Sequence, residues 1–560
     1  MDYLQTTEAY IISKGVTPEA ETKGLLVYSQ DIKNGDCCMP CFKLSKAMRT
    51  SPVAIAQMLK DAMTDLPDYI ERVESVNGYL NFYFDRAAMA KQVLADVLDR
   101  GESFEPKANN GKTICLDYSS VNIAKPFHIG HLLTTVIGGS LYRIYKYLGY
   151  NAVGINHLGD WGTQFGKLLT AYFKWGQGKP QTMDSLLELY VRFHKEAELD
   201  QALNDEARAW FKKIELKDEL ATSVFEEFKR ITLAEVGKVY DRLGIVFDSY
   251  NGESFFNDKL QGVVDELREK NLLVESEGAM VVPLDEYGMT PCLILKSDGA
   301  SLYATRDLAC AKYRKQAYDF DKNLYVVAYQ QNLHFKQVFK VLELMGYDWA
   351  KDCVHVPFGM VSLEGSGALS TRSGNVVKLV DVINTAVEKT KAIIAEKNPD
   401  LANADETAEA IGVGAVVFGA LENSRIKDMV FSLDKALNFD GETGPYLQYT
   451  HARCCSVLSK AHPQGEADYG ELTDDDTFTL IRRLNAFDDT VRTAADRYEP
   501  SILSRYLIDL AQEFNKFYIG HRIISDDHKA MNARLWLTKA VKNVLKNGMA
   551  LILLKAPEKM

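Results

Sequence analysis

No apolar run in the sequence approaches the roughly 20 residues needed to cross a bilayer, so no membrane association is expected. The first residues, Met1-Asp2-Tyr3-Leu4-Gln5, lack a basic stretch followed by an apolar one. No secretory signal is expected, and a cytoplasmic location is. Cysteine is sparse: nine in 560 residues exclude a disulfide scaffold. Cys37, Cys38 and Cys41 lie close together, but a zinc site needs four ligands and no second Cys or His pair is near. Reduced, buried thiols are the expectation, and no metal site. A GxxxxGKS/T phosphate loop is absent, which disfavours P-loop NTPases. Repeats and low-complexity segments are absent too. Positive charge is also in short supply. A formal net charge of −12 argues against a protein that coats nucleic acid non-specifically. It does not exclude a large RNA partner, because local patches outweigh the sum.

One such patch lies between Arg522 and Lys559. There eight basic residues (Arg522, Lys529, Arg534, Lys539, Lys542, Lys546, Lys555, Lys559) face three acids, Asp526, Asp527 and Glu558. A solvated helix face is the alternative reading. The chain is too long for one compact domain, and 46% hydrophobic residues suffice for a large core. The first hundred or so residues read as a small α+β unit. Ser51-Pro52 starts a helix, Tyr79 to Phe84 reads as a strand, and Pro106 to Gly111 reads as a linker. Thr113 to Tyr118 suits a buried strand. Apolar residues from Ile129 to Leu148 then repeat with helical spacing, and Val153 to Asn156 resembles the next strand. This is a βαβ unit and hence a parallel sheet. Leu324–Ala328 and Val354–Phe358 supply later strands. A charged helical stretch from Leu186 to Leu243 reads as an insertion, and beyond Thr407 the pattern is almost wholly helical.

The informative segment joins the first of these strands to its helix: Asp117-Tyr118-Ser119-Ser120-Val121-Asn122-Ile123-Ala124-Lys125-Pro126-Phe127-His128-Ile129-Gly130-His131-Leu132. No dinucleotide GxGxxG follows the strand, which disfavours Rossmann dehydrogenases. Ligands of parallel sheets bind where strands end and helix N-termini gather, and a helix N-terminus suits a phosphate. His128 and His131 are three apart and share a face. Gly130 between them lets a base or ribose approach the backbone. Two histidines could also be metal ligands, with no third ligand apparent, or core residues.

His128-Ile129-Gly130-His131 matches the HIGH motif of class I aminoacyl-tRNA synthetases, and the string from Ser119 to Leu132 resembles the arginyl family in particular. The resemblance runs over nearly the whole chain: Gly159 to Gly166, Gly252 to Phe255, Tyr303 to Ala309, Gln330 to Phe335, and Thr443 to Arg453. It implies an α/β fold: a Rossmann-type parallel-sheet catalytic domain with a small α+β N-terminal domain and an all-α C-terminal bundle. The limits it implies are 1–108 for a tRNA-elbow domain and 109–400 for the catalytic domain, with an insertion at about 176–250. An anticodon domain follows at 401–560, with its core at about 445–560.

The resemblance also assigns residues. ATP would meet Asn122, Ile123, Ala124, Lys125, Pro126, Phe127, His128, Ile129, Gly130, His131 and Leu132, with Lys125, His128 and His131 catalytic. The second ATP motif of the class, KMSKS, is degenerate here: Ala368-Leu369-Ser370-Thr371-Arg372-Ser373 lacks both lysines. Ser370, Thr371 and Arg372 remain candidates, and Lys125 would compensate for the missing charge. Arginine would be held by Asp117, Ser119, Asn122, His131, Tyr303, Asp307 and Gln331. A guanidinium fork is well met by carboxylates. Asp117 is shorter than the Glu of some relatives, and a surface ion pair with Arg306 is the alternative for Asp307. Asn77, Tyr79 and Phe82 are candidates for the tRNA D-loop, because RNA loops are read by stacking on aromatics. Tyr449, Arg453 and Arg522 are candidates for the anticodon side. The implied reactants are L-arginine, ATP with Mg²⁺ and tRNA(Arg), with tRNA required for activation and a monomer as the expected state. Two rivals are a small-molecule nucleotidyltransferase and an inactive synthetase-like RNA-binding protein.

Overall fold

The structure, a computed structural model, describes residues 3–29, 32–297, 299, 302–364 and 377–560. The N-terminal unit is an antiparallel sheet of β1 (Val27–Tyr28), β2 (Cys37–Pro40), β3 (Ile70–Val76) and β4 (Tyr79–Phe84), ordered β1-β2-β4-β3. Asn77 and Gly78, both at positive φ (49° and 85°), form the tight turn between β3 and β4. The helix Pro52–Ala62 starts as expected, with the Ser51 hydroxyl accepting the Ala54 N–H at 3.3 Å. Cys37 and Cys41 are buried and Cys38 half-buried. Burial pushes the Cys41 thiol up to about 11.

The central sheet contains β5 (Thr113–Asp117) and β6 (Asn151–Ile155). A small antiparallel sheet of β7 (Val274–Ser276), β8 (Ala279–Val282) and β9 (Cys292–Leu295) precedes its later strands, β10 (Lys322–Ala328) and β11 (Cys353–Phe358). The order is β11-β10-β5-β6 and every pairing is parallel. The chain leaves β5 in one direction for β6 and returns on its other side to form β10. The reversal point lies at the carboxyl end of β5, where open α/β sheets bind ligands. The crossover helix Leu132–Tyr147 is buried all round except at Arg143 and Lys146. One side lies on the sheet, so close that a Cβ on Gly138 would meet the Tyr118 side chain at 2.2 Å.

Its other side is bonded to the C-terminal bundle. Ser140 Oγ donates to the Leu551 carbonyl (2.9 Å), Arg143 Nη1 to that of Ala550 (2.6 Å), and Tyr145 OH to that of Ala495 (2.9 Å). Tyr147 OH donates to Asp488 Oδ1 at 2.5 Å, and Lys107 from the linker reaches Asp488 Oδ2 at 2.8 Å. The insertion forms the helices Met183–Leu199, Ala202–Glu215 and Glu219–Leu243. The bundle includes Gly444–Lys460, Asp475–Asn485, Phe487–Asp496, Ser501–Gly520 and His528–Leu551. Leu503, Tyr506, Leu507, Leu510, Phe514 and Phe517 are buried in it, as their spacing indicates. The late segment is not purely helical: β12 (Val361–Leu363) pairs in parallel with β13 (Met429–Phe431). The expected layout of α+β unit, parallel-sheet domain and helical bundle is thus the one observed.

Candidate active site

Beyond β5 the backbone takes three non-glycine residues to positive φ: Ser119 (68°), Ser120 (44°) and Ala124 (59°). Such residues cost on the order of 1–3 kcal/mol each and persist only where neighbours over-determine them. Here the Ser119 N–H donates to Thr134 Oγ1 (3.0 Å), the Ser120 hydroxyl to Asp117 Oδ1 (2.7 Å), and the Ala124 N–H to Thr232 Oγ1 (2.9 Å). Asn122 bridges to Gly159 of the loop after β6, where a Cβ would meet Asn122 Oδ1 at 2.4 Å. Two strand-end loops are thereby laced together beside the crossover helix.

That lacing presents the histidine pair. His128 Nδ1 accepts the Gly130 N–H (3.1 Å) and His131 Nδ1 accepts the His128 N–H (3.2 Å), each capping the helix start. The ring centroids are 4.0 Å apart, and Phe127 stacks on His131 at 5.1 Å. Since each Nδ1 is an acceptor, the proton of the neutral ring sits on Nε2. Burial, then His128 and Lys125 nearby, pulls the His131 pKa down to about 3. Burial and Lys125 also lower His128. Both rings are therefore neutral Nε2–H donors at physiological pH. The Ile129 N–H donates to the Val377 carbonyl (3.0 Å), and the Leu379 N–H to that of Phe127 (3.0 Å). The chain just past the degenerate motif thus pairs with the histidine segment. Ser370, Thr371 and Arg372 themselves lie outside the described residues. Ile129 and Leu132 are fully buried, so their side chains frame the site from below.

Two of the residues assigned to arginine, Asp117 and Ser119, have internal partners in that frame. Asp117 is buried, and its Oδ2 takes the Arg314 guanidinium at 2.6 Å while Oδ1 accepts from Ser120. Burial opposes its charge, but Arg314 and His157 outweigh burial and hold the carboxyl below its usual range. An internal arginine, over the Tyr325 ring at 5.2 Å, shares this carboxylate. Ser119 is buried, and its hydroxyl lies between Tyr240 OH (2.7 Å) and Thr135 Oγ1 (2.9 Å) under the helix.

Three other arginine candidates, Tyr303, Asp307 and Gln331, lie on or just before two helices joined by a side-chain contact. Tyr303 and Asp307 lie one turn apart on the helix Tyr303–Tyr318, with Tyr303 72% exposed. Gln331 is exposed at the start of the helix Asn332–Leu344. His334 of that helix brings Nε2 to 2.5 Å from Asp307 Oδ2. Asp307 is therefore not spent on Arg306, whose Nη1 donates to Asn257 Oδ1 (2.8 Å) and to the Glu253 carbonyl. Glu253 is half-buried, and burial, with Asp307 and Asp160 adding to it against Arg306, pushes its carboxyl up to about 7. Glu253 and His334 lie within the motif blocks Gly252 to Phe255 and Gln330 to Phe335, but nothing in the sequence gives either residue a role. Arg314 had no signal beyond its place on the Asp307 helix.

Among the RNA candidates Asn77 sits in the exposed hairpin turn, and Tyr79 is 40% exposed. Phe82 is fully buried in the N-terminal core and cannot stack on a base; strand alternation puts it on the inner face. The exposed ring beside Tyr79 is Phe42, edge-on at 5.2 Å, which sequence reading missed. In the bundle Arg453 lies 4.9 Å over the rings of both Tyr449 and Tyr518, each well exposed. Arg522 Nε donates to the Ile524 carbonyl at 3.1 Å. Part of the C-terminal basic excess is spent internally, since Lys542 and Lys546 both pair with Glu102.

A parallel sheet with a histidine pair capping its crossover helix, joined to a helical domain, is the arrangement expected of a class I tRNA synthetase. The family model described as the class I (R) tRNA synthetase catalytic domain matches residues 93–433. Models of the arginyl-tRNA synthetase N-terminal domain and the DALR anticodon binding domain match 5–84 and 447–560. An arginine--tRNA ligase of Clostridium botulinum (strain Alaska E43 / Type E3) is 52% identical over 94% of both chains. That of Clostridium beijerinckii is 50% identical over 100% of both. The Thermus thermophilus arginyl-tRNA synthetase structure superposes with a TM-score of 0.84 at 26% identity, over 100% of both chains. The chain belongs to the arginyl-tRNA synthetase family, ligases that charge tRNA(Arg) with arginine.

Proposed function

We propose that this enzyme makes arginyl-adenylate in the cleft at the end of β5 and passes the arginyl group to the terminal ribose of tRNA(Arg). The observation that carries the reading is the pair of neutral imidazoles whose Nε2–H groups are left as donors at the start of the crossover helix. Arginine lies with its guanidinium toward Asp307 and its carboxylate toward these donors. The carboxylate oxygen bonds to the α-phosphorus as the bond to pyrophosphate breaks. Charge builds on the phosphoryl oxygens, and fixed donors meet it without reorganising. No side-chain nucleophile is needed, so the enzyme's share is alignment. The 2′-OH of the terminal adenosine then takes the arginyl group and AMP departs. Asn122 and Gln331 are kept as ligand contacts, while Asp117 and Ser119 hold the loop.

Mg²⁺ is the family's companion to ATP. Among the described residues no group of three His, Cys, Asp or Glu side chains gathers that could hold it. The ion would arrive on the triphosphate, as Mg²⁺ usually does. Positive charge from the chain itself is assigned to Lys125, with Arg372 as its competitor.

Arginine-dependent pyrophosphate exchange, with and without tRNA, tests the reading and separates it from a nucleotidyltransferase or a purely RNA-binding protein. Exchange that needs arginine, and needs tRNA as well, is expected. His128→Ala and His131→Ala should each slow it about a hundredfold or more with tRNA affinity nearly intact. Unchanged exchange in both variants would move the ATP site elsewhere.

A further inference from the structure

The carboxylate assigned to the guanidinium already has a partner. Asp307 Oδ2 and His334 Nε2 are 2.5 Å apart, joining the helix Tyr303–Tyr318 to the helix Asn332–Leu344. Both side chains are about three-quarters buried (25% and 23% exposed), so the bond lies within the wall and not on the surface. His334 is itself held: its ring packs edge-on to Phe335 at 5.3 Å, and Phe335 stacks on His355 at 4.6 Å. Spacing makes the contact a register pin. Tyr303 and Asp307 are four apart on one helix, and Gln331 and His334 are three apart across the start of the other. Joining Asp307 to His334 ties the helix that carries Tyr303 to the one that Gln331 precedes.

A free Asp carboxylate turns broadly about its last torsion, so its plane is undefined until something bonds it. A planar guanidinium needs that plane fixed, because its donors form a rigid fork. With Oδ2 bonded to His334, Oδ1 and the second lone pair of Oδ2 remain for the ligand.

We infer that His334 is a positioning residue for arginine selection: it orients the Asp307 carboxylate and sets the distance between the two pocket walls. The inference rests on the reading of Asp307 as the guanidinium acceptor. On that reading the imidazole acts through Asp307 and contacts neither ATP nor the reacting atoms. Its removal therefore weakens ground-state binding of arginine and leaves the phosphoryl step alone.

The test compares His334→Ala, His334→Gln and Asp307→Asn in the full-length enzyme with saturating tRNA, reading arginine KM, ATP KM and kcat. Gln is the conservative variant, since its Nε2 can donate from a similar reach. Asp307→Asn should raise arginine KM sharply. His334→Ala should raise it about tenfold or more, with kcat within about threefold and ATP KM unchanged. His334→Gln should recover most of the loss, and His334→Ala should narrow the preference for arginine over neutral citrulline. A generally loosened fold would instead raise both KM values and lower kcat, which overturns the inference. So does a Gln variant no better than Ala, or an Ala variant with unchanged arginine KM. If Asp307→Asn is itself silent, the reading of Asp307 fails and the inference falls with it. If Asp307→Asn is damaging and His334→Ala is silent, the role of His334 alone is wrong.

Discussion

Burial, with His128 and Lys125 nearby adding to it, pulls the His131 pKa down to about 3, whereas an unfolded chain would protonate it near 6.5. Between those values the unfolded state binds the extra proton, so this residue makes folding stability fall as pH falls from about 6.5 toward 3. Above that window neither state is protonated and the effect vanishes. Urea midpoints of wild type and His131→Gln, taken across the range, should converge as pH drops; parallel curves would mean that His131 is not held neutral. On the proposed reaction, the charge on the triphosphate is then met by other groups. Lys125 precedes His128 by three residues on the strained loop, while the degenerate motif offers only Arg372. Lys125→Ala should slow single-turnover adenylate formation far more than Arg372→Ala, with little effect on arginine KM. Thr371→Lys should partly restore the Lys125→Ala enzyme, since either lysine offers a point charge. A silent Lys125→Ala would leave that task to Arg372.

The crossover helix was the most legible element in the sequence, because its apolar spacing from Ile129 to Leu148 is strong and a strand run flanks it on each side. What spacing could not reveal is that the helix is covered on both sides. Gly138, unremarked in the sequence, allows it to sit on Tyr118. Gly138→Ala would drive a Cβ into that ring, and overpacking of this kind costs about 1–3 kcal/mol. The strain would tilt the helix that carries the histidines. Lower thermal stability together with slower adenylate formation is therefore expected, against a slower rate alone for His131→Ala. Equal stability and full activity in Gly138→Ala would show that the Tyr118 contact yields freely. The internal partners of the candidate residues were not legible, for a common reason. Motif position identified the loop around Asp117 and Ser119, but only the fold shows that Arg314, nearly two hundred residues on, pairs with the Asp117 carboxylate. Phe82 was readable from strand alternation alone, since its neighbours Leu80 and Phe84 share its inward face.

Over the whole chain, three-part organisation was legible from composition shifts and ordered motif blocks, whereas the way the parts are joined was not. Asp488 illustrates the reason: it receives Tyr147 from the crossover helix and Lys107 from the linker, three segments far apart in sequence. Through such contacts the helix bearing the histidine pair and the bundle bearing Arg453 are packed together. Arg453 is well placed to meet RNA, with its guanidinium over two exposed tyrosine rings and one donor on Asn515. Such a cation on an aromatic platform suits an unstacked base next to a phosphate. Arg453→Ala should therefore weaken tRNA binding, more so at low salt where phosphate contacts weigh most. The defect should appear in tRNA KM and not in the arginine or ATP KM. If activation requires bound tRNA, exchange by Arg453→Ala should be poor at low tRNA and return to the wild-type rate at saturating tRNA. His131→Ala should stay slow at every tRNA concentration, since its loss is in the chemical step. Titrating tRNA in pyrophosphate exchange for both variants separates the two. An Arg453→Ala enzyme that stays slow at saturating tRNA would place that residue in the path from bundle to active site, and one with unchanged tRNA KM would remove it from the RNA surface.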